Sequence, residues 1–127
     1  MRRGQRSLLL VDDSTDTLEM YALGLKHAGY RVLTATNAAG ALVQLNGERP
    51  HAVVTDVQLV GGRSGWDLID EMKRRSATRD IPVIVLTGGV DPSIEVAAAR
   101  AGCAAVLTKP CLPDELARVL EQLVPAI

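Results

Sequence analysis

The feature that most constrains the fold of this sequence is a set of four short apolar runs, each of which ends abruptly at polar side chains. Short apolar runs rich in β-branched residues are typical of strands that are covered on both faces. In a parallel α/β sheet the carboxyl ends of the strands face one way and line a ligand-binding crevice. We therefore expect three acids, one hydroxyl and one lysine to meet at one edge of a sheet. The runs 8–11, 52–55, 82–86 and 104–108 end at Asp12–Asp13, Asp56, Thr87 and Lys109, respectively.

The segments between these runs have helical patterns. Such alternation predicts an α/β fold with a parallel sheet, right-handed crossovers and helices on both faces. With five strands the common arrangement is the flavodoxin-like (βα)5 three-layer sandwich of strand order 2-1-3-4-5. Its reversal point, between strands 1 and 3, is where Asp12, Asp13 and Asp56 would meet. The predicted strands are 7–11, 31–35, 51–56, 83–86 and 104–108, and the predicted helices begin near residues 14, 37, 65, 92 and 113.

Local signals support several of these helices. Asn37 is a suitable N-cap for a helix ending near Leu45, and Asp91–Pro92 is a clear helix start. The stretch 73–80 is basic and polar, which predicts a solvated connection. A core-facing stripe with helical spacing is predicted along the first helix, at Leu18, Tyr21, Ala22, Leu25 and Ala28.

Length and composition predict one globular domain over residues 1–127, with its core at about 7–124 and a basic tail at 1–6. The chain is 47% hydrophobic and carries a net charge of -1, which argues against binding nucleic acid by bulk electrostatics. No apolar run approaches a membrane span, and no signal-peptide core is present. We therefore expect a cytoplasmic protein without a membrane partner, in which Cys103 and Cys111 are free thiols.

The expected cluster of acids has chemical consequences. Three neighbouring carboxylates repel one another unless a cation relieves them, and Mg²⁺ with oxygen ligands is the natural solution. A carboxylate held beside Mg²⁺ can also act as a nucleophile and form an aspartyl phosphate. A lysine and a hydroxyl, Lys109 and Thr87, would then stabilise the transferring phosphoryl group. Taken singly, each of these residues could instead serve a turn, a helix cap or the solvated surface.

Four matching motifs make the chain resemble the receiver domains of two-component response regulators. They are the sequences at 11–14, 53–56, 86–88 and 108–110, and the resemblance extends over roughly 7–124. It implies that Asp56 is the phosphoacceptor and that Thr87 and Lys109 contact the phosphoryl group. It further implies a Mg²⁺ site formed by Asp13 directly, Asp12 through water, Asp56, and the backbone carbonyl of Gln58. The Lys109–Pro110 bond is expected to be cis.

The sequence departs from this family's usual pattern near the site. Val60 stands where a proline is usual, and the loop up to Gly65 is one residue longer. Val106 replaces an aromatic residue that in many receivers changes rotamer with the threonine, and Cys111 stands where phenylalanine is frequent. We therefore expect a smaller response to phosphorylation in helix 4 and strand 5, and a larger one in the loop 57–64.

The resulting functional prediction is a signalling module that is phosphorylated by a histidine kinase or a histidine phosphotransfer protein. It would not be an enzyme beyond its own phosphorylation and dephosphorylation, and it would act on an unknown downstream protein through helix 4, strand 5 and helix 5. One alternative is a degenerate receiver that binds partners without phosphorylation. A haloacid-dehalogenase-type phosphatase is disfavoured because Gln58, not an acid, lies two residues after Asp56. The kinase, the output pathway, the oligomeric state and any longer parent protein stay open.

Overall fold

The computed structural model describes residues 5–89 and 91–124, so Arg2 and Arg3 of the predicted tail lie outside the described residues. A five-stranded parallel sheet in the strand order 2-1-3-4-5 confirms the predicted fold class and topology. The elements in chain order are β1 Ser7–Val11, α1 Thr15–His27, β2 Arg31–Ala35, α2 Ala38–Gly47, β3 Ala52–Thr55, α3 Gly65–Arg74, β4 Val83–Thr87, α4 Pro92–Ala101, β5 Ala105–Thr108 and α5 Pro113–Leu123.

Helices cover both faces of the sheet, which explains why its central strands are continuous apolar runs in the sequence. Alternate residues of each strand enter different clusters because successive side chains point to opposite faces. One cluster joins Leu9, Val11, Val53, Val83 and Val85 to α2, α3 and α4. The other joins Leu8, Leu10, Val54, Ile84 and Leu86 to α1 and α5. No helix in the described part of the chain is long and apolar enough to cross a membrane.

The predicted core stripe of α1 is correct except at its last member. Leu18, Tyr21, Ala22 and Leu25 are buried, whereas Ala28 is exposed. The helix ends at His27, Ala28 is its C-cap, and Gly29 turns the chain away with φ of 102°. The helical periodicity therefore no longer applies at residue 28, because the backbone has left the helix.

The connection before β4 is less solvated than predicted. Its first residues, Lys73 and Arg74, belong to α3, and Thr78 is buried with an exposed fraction of 5%. The Thr78 hydroxyl donates a hydrogen bond of 2.7 Å to the carbonyl of Met72. This bond satisfies a carbonyl near the C-terminus of α3, and it anchors the middle of the connection.

Asn37 caps α2 as predicted, although the helix continues to Gly47, two residues beyond the predicted end. Its side-chain oxygen accepts a hydrogen bond from the backbone N–H of Gly40 at 2.7 Å. We expect Asn37→Ala to lower the free energy of unfolding by about 1 kcal/mol, because that N–H loses its partner. Urea denaturation measures the effect, and Asn46→Ala near the other end of α2 is the control. Equal losses in the two variants would contradict a capping role.

Candidate functional site

The carboxyl ends of the strands bring the predicted acids together. Val11 of β1 pairs with Thr55 of β3, so the next residue of each strand, Asp12 and Asp56, occupies the same edge of the sheet. The Asp56 N–H continues this ladder by donating to the Val11 carbonyl at 3.1 Å. The backbone therefore fixes the two aspartates side by side before their side chains make any contact.

Lys109 joins these two carboxylates. Its ammonium lies 2.7 Å from Asp12 Oδ2 and 2.9 Å from Asp56 Oδ2. The side chains are largely buried, with exposed fractions of 24% for Lys109, 8% for Asp12 and 13% for Asp56. Hydrogen bonds between charged groups in such a setting are stronger than those between neutral groups. The lysine thus balances part of the negative charge that the fold concentrates here.

The pKa of Lys109 reflects this arrangement. Burial by itself disfavours the charged ammonium, but hydrogen bonds and Coulombic attraction from Asp12 and Asp56 outweigh it and raise the pKa above its ordinary value of 10.5. Lys109 is therefore a fixed positive charge at physiological pH.

Backbone N–H groups hold the remaining oxygens of both aspartates. Ser14 N–H donates to Asp12 Oδ1 at 2.9 Å, and Gln58 N–H donates to Asp56 Oδ1 at 3.1 Å. Ser14 also caps α1, because its hydroxyl accepts a hydrogen bond from Thr17 N–H at 3.2 Å. The two carboxylates are consequently held at both oxygens, which limits their rotation.

Thr87 ends β4 beside this cluster, and its side chain is buried. Its hydroxyl accepts a long contact of 3.4 Å from Gly89 N–H, and its carbonyl accepts a hydrogen bond from Lys109 N–H at 2.7 Å. A cavity of about 130 Å³ borders Thr87, Ile94 and Val106. Space therefore exists beside Thr87, where the short side chain of Val106 is only partly buried. The Lys109–Pro110 bond is cis, as expected.

Asp13, the predicted direct metal ligand, is exposed. Among residues 5–89 and 91–124, no group of three or more His, Cys, Asp and Glu side chains is placed to hold a metal ion. The donor chemistry still suits Mg²⁺, which typically uses one or two carboxylates and keeps several waters. The cation that Asp12 and Asp56 share in this structure is the Lys109 ammonium.

Gly65 is a site residue that the sequence analysis treated only as the start of α3. Its N–H donates to the Val57 carbonyl at 2.9 Å. A Cβ atom at this position would lie 2.0 Å from the Asp56 carbonyl oxygen and 2.8 Å from Val57 Cα. Only glycine permits this approach of α3 to the loop that carries Asp56. The sequence signal that could have identified Gly65 is its position in the first turn of a helix, directly after a glycine-rich loop.

The cysteines and histidines take no part in this cluster. Both cysteines are free, and burial raises the pKa of the Cys103 and Cys111 thiols, which disfavours the reactive thiolate. His51 lies at the opposite, amino end of the sheet, where its Nδ1 accepts a hydrogen bond from Ser7 N–H at 3.0 Å. His27 is in the last turn of α1.

Comparison with known proteins gives consistent matches. The model of the response regulator receiver domain family matches residues 8–121. The phosphate regulon transcriptional regulatory protein PhoB of Escherichia coli is 36% identical over 111 residues, which cover 87% of this chain and 48% of PhoB. The chain thus spans about half the length of this curated relative. It belongs to the response regulator receiver domain family.

Solved structures agree with this assignment. A putative response regulator from Chloroflexus aurantiacus superposes with a TM-score of 0.89 at 33% identity, covering 94% of this chain and 98% of the other. The receiver domain of the sensor histidine kinase PA1611 from Pseudomonas aeruginosa shares the fold, with a TM-score of 0.86 at 24% identity, covering 96% and 99%. That structure holds a magnesium ion in its active-site cleft.

Family membership establishes the general class of function. Receiver domains are signalling modules of two-component systems and are generally not classed as enzymes. They are phosphorylated by sensor histidine kinases and bind Mg²⁺ in the active site. The resemblance expected from the sequence motifs is therefore confirmed.

Proposed function

We propose that this chain is a phosphorylation-dependent signalling module whose Asp56 accepts a phosphoryl group from a histidine kinase or a histidine phosphotransfer protein. The observation that carries the proposal is the Lys109 ammonium, which lies within hydrogen-bonding distance of both Asp12 and Asp56. An aspartate placed beside a fixed cation, at the crevice edge of the sheet, suits a nucleophile that attacks a phosphoryl donor.

The proposed phosphoryl transfer needs no reactant other than the phosphorylated histidine of the donor and Asp56. An oxygen of Asp56 forms a bond to phosphorus as the bond from phosphorus to the donor's imidazole nitrogen breaks, and the nitrogen keeps the electron pair. Positive charge and hydrogen-bond donors around the phosphoryl oxygens stabilise such a transition state. Lys109 would supply the charge, and the Thr87 hydroxyl would donate a hydrogen bond.

Mg²⁺ would be held by Asp13, Asp12, Asp56 and the Gln58 carbonyl, and it would supply further positive charge for the phosphoryl oxygens. One oxygen of each carboxylate, Oδ2 of Asp12 and Oδ2 of Asp56, already accepts a hydrogen bond from Lys109. The exposed Asp13 is thus the carboxylate that can approach a hydrated ion without giving up that lysine contact.

Phosphorylation of Asp56 is tested by intact-mass measurement after incubation with acetyl phosphate and Mg²⁺. We expect one phosphoryl adduct on the native protein and none on Asp56→Asn, because the amide lacks the nucleophilic carboxylate. Asp70→Asn, an exposed acid on α3, is the matched control and should be modified normally. An adduct that persists in Asp56→Asn would refute the assignment.

Mg²⁺ binding is tested separately by thermal unfolding with and without millimolar MgCl₂. A ligand present at about ten times its dissociation constant stabilises the folded state by roughly 1.4 kcal/mol, or several degrees in melting temperature. We expect Asp13→Asn to lose most of this shift and Asp16→Asn, on the first turn of α1, to keep it. Equal shifts in the two variants would place the metal elsewhere.

We further propose that the chain acts as a single domain with its core at about 7–124. It would work in the cytoplasm and transmit the signal to a downstream protein through α4, β5 and α5. Phosphorylation adds charge that biases a loop between two arrangements. The proximity of Thr87 to the base of α4 supports this route, since the cavity beside Thr87 is also lined by Pro92 and Ile94 of that helix.

A further inference from the structure

A groove between α3 and α4 is a large concave surface that the phosphoacceptor chemistry leaves unused. It is open to solvent and has a volume of about 750 Å³, within the range of small-molecule sites. Trp66 of α3 and Val96, Ala97 and Ala101 of α4 supply its apolar lining. Val96 is 53% exposed, although it is a large apolar side chain. The small alanines keep α4 from filling the groove, so a planar group can reach Trp66.

The charges around this groove favour an anion. Arg100 lines it, is exposed, and takes part in none of the ion pairs among the described residues. Lys73 adds a second cation, whose ammonium donates to the Arg79 carbonyl at 3.1 Å and, among the described residues, pairs with no acid. The acid on this surface, Asp70, is already paired with Arg74 at 2.9 Å. The groove therefore presents an apolar floor with uncompensated positive charge at its side.

We propose that this groove binds a small aromatic anion, with its ring against Trp66 and Val96 and its carboxylate or sulfonate on Arg100 and Lys73. An aromatic ring gains contact area on an indole face, and an anionic group gains charge-assisted hydrogen bonds from a guanidinium. The lining residues extend over 66–73 of α3 and 93–101 of α4, so the groove is about 10 to 12 Å long at 1.5 Å per residue, which is long enough for a ligand of two fused rings.

The site would give the module a second input. Trp66 directly follows Gly65, which contacts the backbone of Asp56 and Val57. A ligand on Trp66 therefore lies one residue from the attachment of α3 to the phosphoacceptor loop. The groove is present in the unphosphorylated protein, so binding to it is testable apart from the proposed transfer to Asp56.

Anilinonaphthalene sulfonate is a suitable probe because Trp66 is the single tryptophan of the chain. Titration should give saturable binding of one probe per chain, with quenching of Trp66 fluorescence. We expect Arg100→Glu to weaken this binding at least about tenfold by replacing attraction with repulsion, and Arg118→Glu, at another exposed arginine, on α5, to leave it unchanged. Asp56→Asn should also bind normally.

A matched pair of competitors separates charge recognition from simple apolar adsorption. Naphthoate should displace the probe at a concentration about tenfold lower than uncharged naphthalenemethanol, because only naphthoate pairs with the cations. Unsaturable binding, equal competition by the two ligands, or equal weakening by Arg100→Glu and Arg118→Glu would overturn the proposal. Loss of phosphorylation in Asp56→Asn with intact probe binding would leave both proposals standing independently.

Discussion

Gly65→Ala is expected to lower the free energy of unfolding by about 2 to 3 kcal/mol and to slow phosphorylation of Asp56 about tenfold or more. The added methyl group would lie 2.0 Å from the Asp56 carbonyl oxygen, a separation that no real contact permits. Either α3 or the loop after β3 must move, and the N–H bond from Gly65 to Val57 at 2.9 Å must stretch. Both changes displace the backbone that aims the phosphoacceptor.

Gly47→Ala is the matched control for this prediction. Gly47 is the last residue of α2, and a methyl group there would meet nothing within 4 Å. Its effect on the free energy of unfolding should stay within about 1 kcal/mol and favour folding, because alanine restricts the unfolded chain. Urea denaturation measures stability, and acetyl phosphate labelling measures the rate. If both glycine variants behave alike, close approach of α3 to Asp56 is not what requires glycine at position 65.

Lys109→Met is expected to destabilise the protein by about 3 kcal/mol at neutral pH. Removing one partner of a largely buried ion pair leaves the other charge uncompensated, and here two carboxylates would be left facing each other. Combining Lys109→Met with Asp12→Asn should restore part of the loss, because one of the two unpaired charges is removed as well. A double variant less stable than Lys109→Met alone would contradict this electrostatic explanation.

The pH dependence of the same comparison tests the raised pKa of Lys109. A group whose pKa is higher in the folded than in the unfolded state stabilises the folded state fully below its unfolded value. The advantage of the native protein over Lys109→Met should therefore be constant from neutral pH to about 10.5 and decline as the pH rises through the folded value above it. A difference in stability that stays constant through this alkaline range would show that the ammonium is not the stabilising group.

The sequence was sufficient to predict the elements, which follow from local periodicity, and the meeting of Asp12, Asp56 and Lys109, which follows from the shared edge of parallel strands. The strand order was expected as the common arrangement for five strands, and the structure confirms it. The sequence patterns misplaced Ala28 and Thr78, where burial depends on how the chain leaves a helix. Thr78 is polar, and only the folded structure shows that its hydroxyl satisfies the Met72 carbonyl.

Two contacts in the site could not be predicted from the sequence, because both depend on distances in the folded chain. The first is the contact of Lys109 with both aspartates. It depends on the side-chain conformations of Lys109, Asp12 and Asp56, which tertiary packing sets. The second is the close approach of Gly65 to the Asp56 backbone. It depends on the angle between α3 and the loop that precedes it. The predicted metal role of Asp13 and the predicted weak response at Val106 stay predictions, since both concern liganded or phosphorylated states.

Lys109 connects the acids to the threonine through a single residue. Its ammonium contacts Asp12 and Asp56, while its backbone N–H donates to the carbonyl of Thr87. We therefore expect that phosphorylation of Asp56, by drawing the ammonium to a new partner, would also shift the Lys109 backbone and its hydrogen bond to the carboxyl end of β4. Such coupling between Asp56 and the base of α4 would need no aromatic side chain at position 106.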